Sequence, residues 1–136
     1  MPIAGGEADG VGIDFVELDR FEAFFTRNEE SLSEIFTRRE LARADRDGRR
    51  VLYLATRWAL KEAVLKALGT GWGSDVEWRD IEALGDLFRP RVTLRGVARR
   101  LADATGAAHA MASAASSGDC VIAMAALIPA GEAPTR

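Results

Sequence analysis

The run 51–68 constrains this chain more than any other stretch. It carries apolar residues at helical spacing, contains no proline or glycine, and stops at Gly69. Along it Ala55, Ala59, Ala63 and Ala67 recur every fourth position, a stripe of small side chains that lets another element approach closely. At 1.5 Å per residue such a helix is about 27 Å long, the span of a small domain. It is expected to be the central packing surface, with the remaining elements laid against it.

Those elements are legible in outline. Positions 11–16 read as an apolar strand interrupted by Asp14. Asp19 is expected to cap a short helix through Phe25, with Phe21, Phe24 and Phe25 in the core, and 29–36 forms another helical turn or two. The run Thr37-Arg-Arg-Glu40 fits a capping box, so a helix should begin at Arg38 and fade near Asp47-Gly48. Strands follow near 76–83 and 91–94, a helix over 96–105, and strands near 108–114 and 120–128. The expectation is one α/β domain of the α+β kind over 11–128, a long helix packed on a mainly antiparallel sheet. Flexible tails are expected at 1–10 and 129–136.

Composition narrows the function classes. At 136 residues and 48% hydrophobic content, the chain has material for one core. Its apolar runs fall short of the roughly 18 residues that span a membrane, and the first residues lack the basic start of a signal peptide. Cys120 is the single cysteine, so no internal disulfide forms, and a cytoplasmic location is expected. A net charge of −3 argues against a general nucleic-acid binder. The charge is uneven, however: 1–36 holds nine acids against Arg20 and Arg27, and 37–66 holds nine bases against four acids. Two solvated faces or a docking surface for an acidic partner would both produce this pattern.

Three residues carry candidate chemistry. Asp14 lies in an apolar strand, where a carboxylate needs a cation or hydrogen-bond donors to offset its desolvation. Glu62 and Lys66 share a helix face four residues apart, with Lys61 about 100° around the axis. An ordinary helix ion pair explains that spacing, at about 0.3–0.5 kcal/mol. Yet sixteen of the eighteen basic residues are arginine, and the only lysines are Lys61 and Lys66. A compact ammonium and a forked guanidinium are not interchangeable at a reacting phosphate.

The segment from Arg57 to Gly71, RWALKEAVLKALGTG, closely resembles the signature of the holo-acyl-carrier-protein synthase family, the small 4′-phosphopantetheinyl transferases. The run VGIDFVELDRF from Val11 resembles that family's opening motif, Phe36-Thr-Arg-Arg-Glu40 its second block and Asp80-Ile-Glu82 a later one. The resemblance implies the family's fold and a Mg2+-dependent transfer of phosphopantetheine from coenzyme A to a serine of an acidic acyl carrier protein. By the same likeness Asp14 and Glu62 are the magnesium carboxylates, and Glu62 and Lys66 act at the transferred phosphate. Arg57, Lys61, Gly69, Thr70 and Gly71 would help hold the nucleotide. Arg20 matches a position that meets the carrier protein, which gives Arg39 and Arg43 of the basic segment the same partner. A homotrimer with active sites between subunits is implied as well.

The chain departs from the family near its end. Where a serine-leucine-serine-histidine block is expected it has Ser113-Ala-Ala-Ser116, and its one histidine, His109, is read as a strand or surface residue. Since the family histidine contacts coenzyme A, Ser116 takes that place here. The altered block leaves one alternative open: a family member without transferase activity, serving as a carrier-protein or coenzyme A binding module or turned to other chemistry on carrier-bound substrates.

Overall fold

The computed structural model describes residues 10–69 and 75–131. Strand β1 (Val11–Glu17) leads into helix α1 (Leu18–Arg27), a single 3-10 turn (Glu29–Ser31) and the short α2 (Leu32–Ile35). Helices α3 (Arg38–Asp47) and α4 (Arg50–Ala67) follow, then a 3-10 turn (Trp78–Asp80), β2 (Ile81–Gly85), β3 (Pro90–Leu94), α5 (Gly96–Ala104), β4 (Ala107–Ser117) and β5 (Cys120–Pro129).

Local chemistry accounts for the helix bounds. In the capping box of α3, the Glu40 backbone N–H donates to Thr37 Oγ1 at 3.2 Å, and Thr37 N–H donates to the Glu40 carboxylate at 2.8 Å. Gly48 closes α3 at φ 85°, a left-handed conformation open to glycine at little cost. The alanine stripe of α4 is wholly buried, so the helix serves as the central packing surface the sequence calls for.

The strands form two antiparallel sheets, β1-β5-β4 and the β2-β3 hairpin. In the larger sheet Asp14 pairs with Ala123, which pairs with Ala114 across the next ladder. Val121, Ala123 and Ala125 turn inward and are buried with Ala59, Ala63 and Val64 of α4. A second cluster joins Phe21, Phe25, Leu32 and Phe36 to Tyr53 and Leu54 at the other end of α4. The Ala114 N–H donates to the Phe88 carbonyl at 2.8 Å and so ties the β2-β3 turn to β4.

Gly12 explains how β1 comes so close to α4. A Cβ there would overlap the Ala63 carbonyl oxygen and sit 2.7 Å from the Ala67 nitrogen, so only glycine fits.

Four expectations need correction. The strand near 76–83 starts only at Ile81, because Asp80 folds back on Glu77 (Asp80 N–H to Glu77 O, 2.9 Å) and makes a turn of 78–80. Helix α1 begins at Leu18, whose N–H donates to Asp119 O at 2.7 Å, and no side chain caps it. Phe24 is 55% exposed: Phe21 and Phe25 share the inward stripe four residues apart, and Phe24 lies off it. Finally, the last strand, expected near 120–128, runs on to Pro129, and the Ala130 N–H beyond it donates to Gly106 O at 3.0 Å.

Candidate active site

The close approach at Gly12 brings the next residue of β1's inward row, Asp14, against the last turns of α4. Lys66 Nζ donates to Asp14 Oδ1 at 2.9 Å and to the Ile13 carbonyl at 2.9 Å. The ion pair of Lys66 is therefore made with Asp14 across the fold, not with Glu62 along the helix.

Glu62, one turn before Lys66, is half-buried, and its carboxylate has no hydrogen-bond partner among the described residues. Desolvation pushes its pKa up, the nearby Asp14 charge adds to that, and Lys66 opposes both. Two carboxylates with a half-exposed ammonium beside them thus converge at one edge of the α4–sheet layer.

These residues suit a magnesium ion. Among the described residues no group of three or more His, Cys, Asp or Glu side chains converges, so the protein would offer two carboxylates only. Mg2+ accepts one or two carboxylates and fills its octahedron with water and phosphate oxygens.

Arg57 and Lys61, which the family likeness would put at the nucleotide, lie away from this surface. Both are fully buried on the face of α4 that turns toward β2 and α3. Arg57 donates to the Leu87 and Asp86 carbonyls at 2.8 Å each and to the Tyr53 hydroxyl at 2.9 Å, clamping the β2-β3 turn. Lys61 pairs with Glu40 at 2.8 Å and donates to the carbonyls of Trp78 and Ile81. A buried cation needs its donors satisfied, and backbone carbonyls, with the Tyr53 hydroxyl and the Glu40 carboxylate, take most of them, leaving Arg57 Nε without a partner among the described residues.

Gly69 ends α4 at φ 74° and is exposed. Thr70 and Gly71 lie outside the described residues. Ser116 is exposed near the end of β4 and lines an open groove of about 610 Å³ with Asp86, Phe88 and Arg89. Because Arg57 holds the turn that walls this groove, its influence there would be indirect. His109 is exposed in β4 opposite Ile128.

Of the expected carrier-protein contacts, Arg20 is exposed on α1 and only 3.9 Å from Glu17. Arg39 is exposed and 3.5 Å from the buried Glu82, and Arg43 is half-buried. Sequence reasoning missed Phe24, which follows Arg20 by four residues and so shares its face of α1. It also missed the outer face of the large sheet, where Val11, Ile13, Phe15, Met111, Ile122 and Met124 are all about half exposed or more. The apolar character of every residue in 121–125 held that signal, since in a strand Val121, Ala123 and Ala125 go inward and Ile122 and Met124 must face outward.

A family model described as the 4′-phosphopantetheinyl transferase superfamily matches residues 10–117. The holo-[acyl-carrier-protein] synthase of Geotalea daltonii is 37% identical over 117 residues, 85% of this chain and 94% of its own. The crystal structure of the Neisseria meningitidis holo-[acyl-carrier-protein] synthase matches with a TM-score of 0.76 at 31% identity, over 88% of this chain and 97% of that one. The Chronobacterium ammoniagenes ACPS–CoA complex matches with a TM-score of 0.74 at 29% identity, over 90% and 98%. Since the match runs from β1 to the end of β4, and so through Asp14, Glu62, Lys66 and Ser116, the chain belongs to the 4′-phosphopantetheinyl transferase superfamily.

Proposed function

We propose that this protein is a holo-[acyl-carrier-protein] synthase that works with Mg2+ at Asp14 and Glu62. It moves 4′-phosphopantetheine from coenzyme A to a serine of an apo acyl carrier protein and releases 3′,5′-ADP. The observation that carries the site is the convergence of Asp14 from β1 with Glu62 and Lys66 from α4, next to a relative solved with CoA.

In the transfer, the carrier serine Oγ bonds to the phosphorus that bears pantetheine. The bond from that phosphorus to the bridging oxygen breaks, and 3′,5′-ADP leaves with the electron pair. When bound, Mg2+ supplies positive charge against the pyrophosphate and polarises the phosphorus. Glu62 is placed to take the serine proton directly or through a water. Lys66 leans on the site from its half-exposed position and can turn its ammonium from Asp14 to a phosphate oxygen. The groove at Ser116 is open enough to admit part of the nucleotide.

Partner surfaces follow. Arg20 with Phe24 on α1, and Arg39 and Arg43 on α3, suit an acidic carrier protein with an apolar contact at its centre. The outer face of the large sheet sets six large apolar residues about half exposed or more side by side, and three chains are proposed to bury it against one another. Among the described residues no helix is long and apolar enough to cross a membrane. Cys120 is a free thiol, in keeping with action in the cytoplasm.

The test is incubation with coenzyme A, MgCl2 and a panel of apo carrier proteins, followed by mass spectrometry of each carrier. Addition of phosphopantetheine that disappears on chelation of the metal is the expected result. Carrier binding without addition to any of them would leave a binding module in place of a transferase.

A further inference from the structure

Glu40 and Lys61 form a fully buried ion pair at 2.8 Å that no step of the transfer uses. The ammonium of Lys61 has three acceptors, the Glu40 carboxylate and the carbonyls of Trp78 and Ile81. The Glu40 carboxylate is equally engaged, accepting from Thr37 N–H and Ala83 N–H at 2.8 Å each. The pair therefore joins the start of α3, the turn 78–80, β2 and α4 at a single point.

Burying such a pair is not the way to gain stability. Desolvation pulls the Lys61 pKa down, with Glu40 opposing, and apolar residues of similar volume often hold a core as well or better. What a pair with five directed hydrogen bonds adds is geometry. In the core shared with the sheet, Ala59, Ala63 and Ala67 of α4 stand between Leu60 and Val64, and their methyl groups offer fewer directed contacts to fix rotation than the buried pair does. Lys61 immediately precedes Glu62, so a bond that holds its side chain also sets the direction of its neighbour, about 100° around the axis.

We propose that the buried Glu40–Lys61 pair is a positioning device that sets the rotation and register of α4, so that Glu62 is presented beside Asp14 for transfer. The inference rests on Glu62 acting at the transfer centre, as proposed above. A displacement of the order of 1 Å at a reacting group can lower a rate on the order of a hundredfold, so a small loss of register is enough to matter.

The test uses the full-length protein with coenzyme A, Mg2+ and an apo carrier protein. It measures kcat, KM for coenzyme A and Tm in Lys61→Met, Glu40→Gln, the double variant, and Leu32→Ala as a destabilised core control. Each single variant should lower kcat on the order of tenfold to a hundredfold, more than Leu32→Ala does at the same Tm, with KM changed by about twofold or less. The double variant should recover Tm, because no lone charge stays buried, and yet keep the low kcat. Recovery of Tm and kcat together would overturn the proposal and make the pair a packing element. A raised KM for coenzyme A in Lys61→Met alone would overturn it in favour of direct nucleotide contact. Glu62→Gln run alongside separates the two readings: parental turnover there would remove the transfer-site assignment itself.

Discussion

Lys66 reaches across 52 positions of sequence to place its ammonium 2.9 Å from the Asp14 carboxylate. This contact ties the last turn of the central helix to the first strand, and it leaves half of the lysine in solvent. A pair so exposed adds only about 0–1 kcal/mol to stability, so its value lies in holding a mobile cation beside the carboxylates. Lys66→Arg should therefore leave Tm nearly unchanged and lower turnover at least about tenfold, since a planar fork cannot follow a phosphate as a point charge does. Thermal unfolding and steady-state kinetics on the same preparation check it. Full activity in Lys66→Arg would return the lysine to a surface ion pair.

Glu62→Gln should abolish transfer and at the same time stabilise the protein slightly at neutral pH. Its folded-state pKa lies above the ordinary carboxylate value, through desolvation first and Asp14 second, so the ionised form costs folding free energy. That cost is absent below the unfolded-state pKa and appears as pH rises through the folded one. The Tm advantage of the variant should therefore shrink as pH falls into the ordinary carboxylate range. A Tm difference that stays constant with pH would contradict the electrostatic origin.

Glu82 provides the opposite case. Burial works to raise its pKa, but hydrogen bonds from Thr37 and Arg95 and the charges of Arg95 and Arg39 outweigh it and hold the carboxyl below its usual value. A depressed carboxylate contributes stability that is present above the unfolded-state pKa and lost as pH falls through the folded one. Glu82→Gln should cost about 1.5–3 kcal/mol at neutral pH, and the difference from the parent should close in acid. Urea melts across the acid range would reveal an unchanged gap if Glu82 were not responsible.

The outer face of the β1-β5-β4 sheet predicts the assembly. Phe15, the most exposed of its apolar residues at 63%, pairs across the ladder with Ile122. Phe15→Glu places a charge in the middle of the face, and burying it in an interface would cost several kcal/mol. Light scattering should report about three parental chains per particle and a single chain for the variant. Far-UV circular dichroism should match, because the outward side chain takes no part in either core. A parental protein that is monomeric and active would remove the trimer from the reading.

Several parts of this molecule are written in short stretches of sequence. The α3 start is one, because Thr37 and Glu40 satisfy each other's amides within four residues, and the α4 pattern is another, because a 3.6-residue period needs no partner to be recognised. The activity was legible through the likeness of the motif around Glu62 and Lys66 to the family signature, since their spacing by itself fits an ordinary helix ion pair equally well. What only the tertiary structure decided concerns where long side chains end. Glu62 and Lys66 look like natural partners along α4, yet Lys66 pairs with Asp14 because Gly12 lets β1 lie against the helix backbone. The family likeness would put Arg57 and Lys61 at the nucleotide, yet both end in the core, where carbonyls 17 to 30 positions away accept from them. Phe24 looks like its core neighbours and faces water. Periodicity and caps are set by bonds between near neighbours in the chain, whereas the destination of a long polar side chain depends on which distant backbone arrives to meet it.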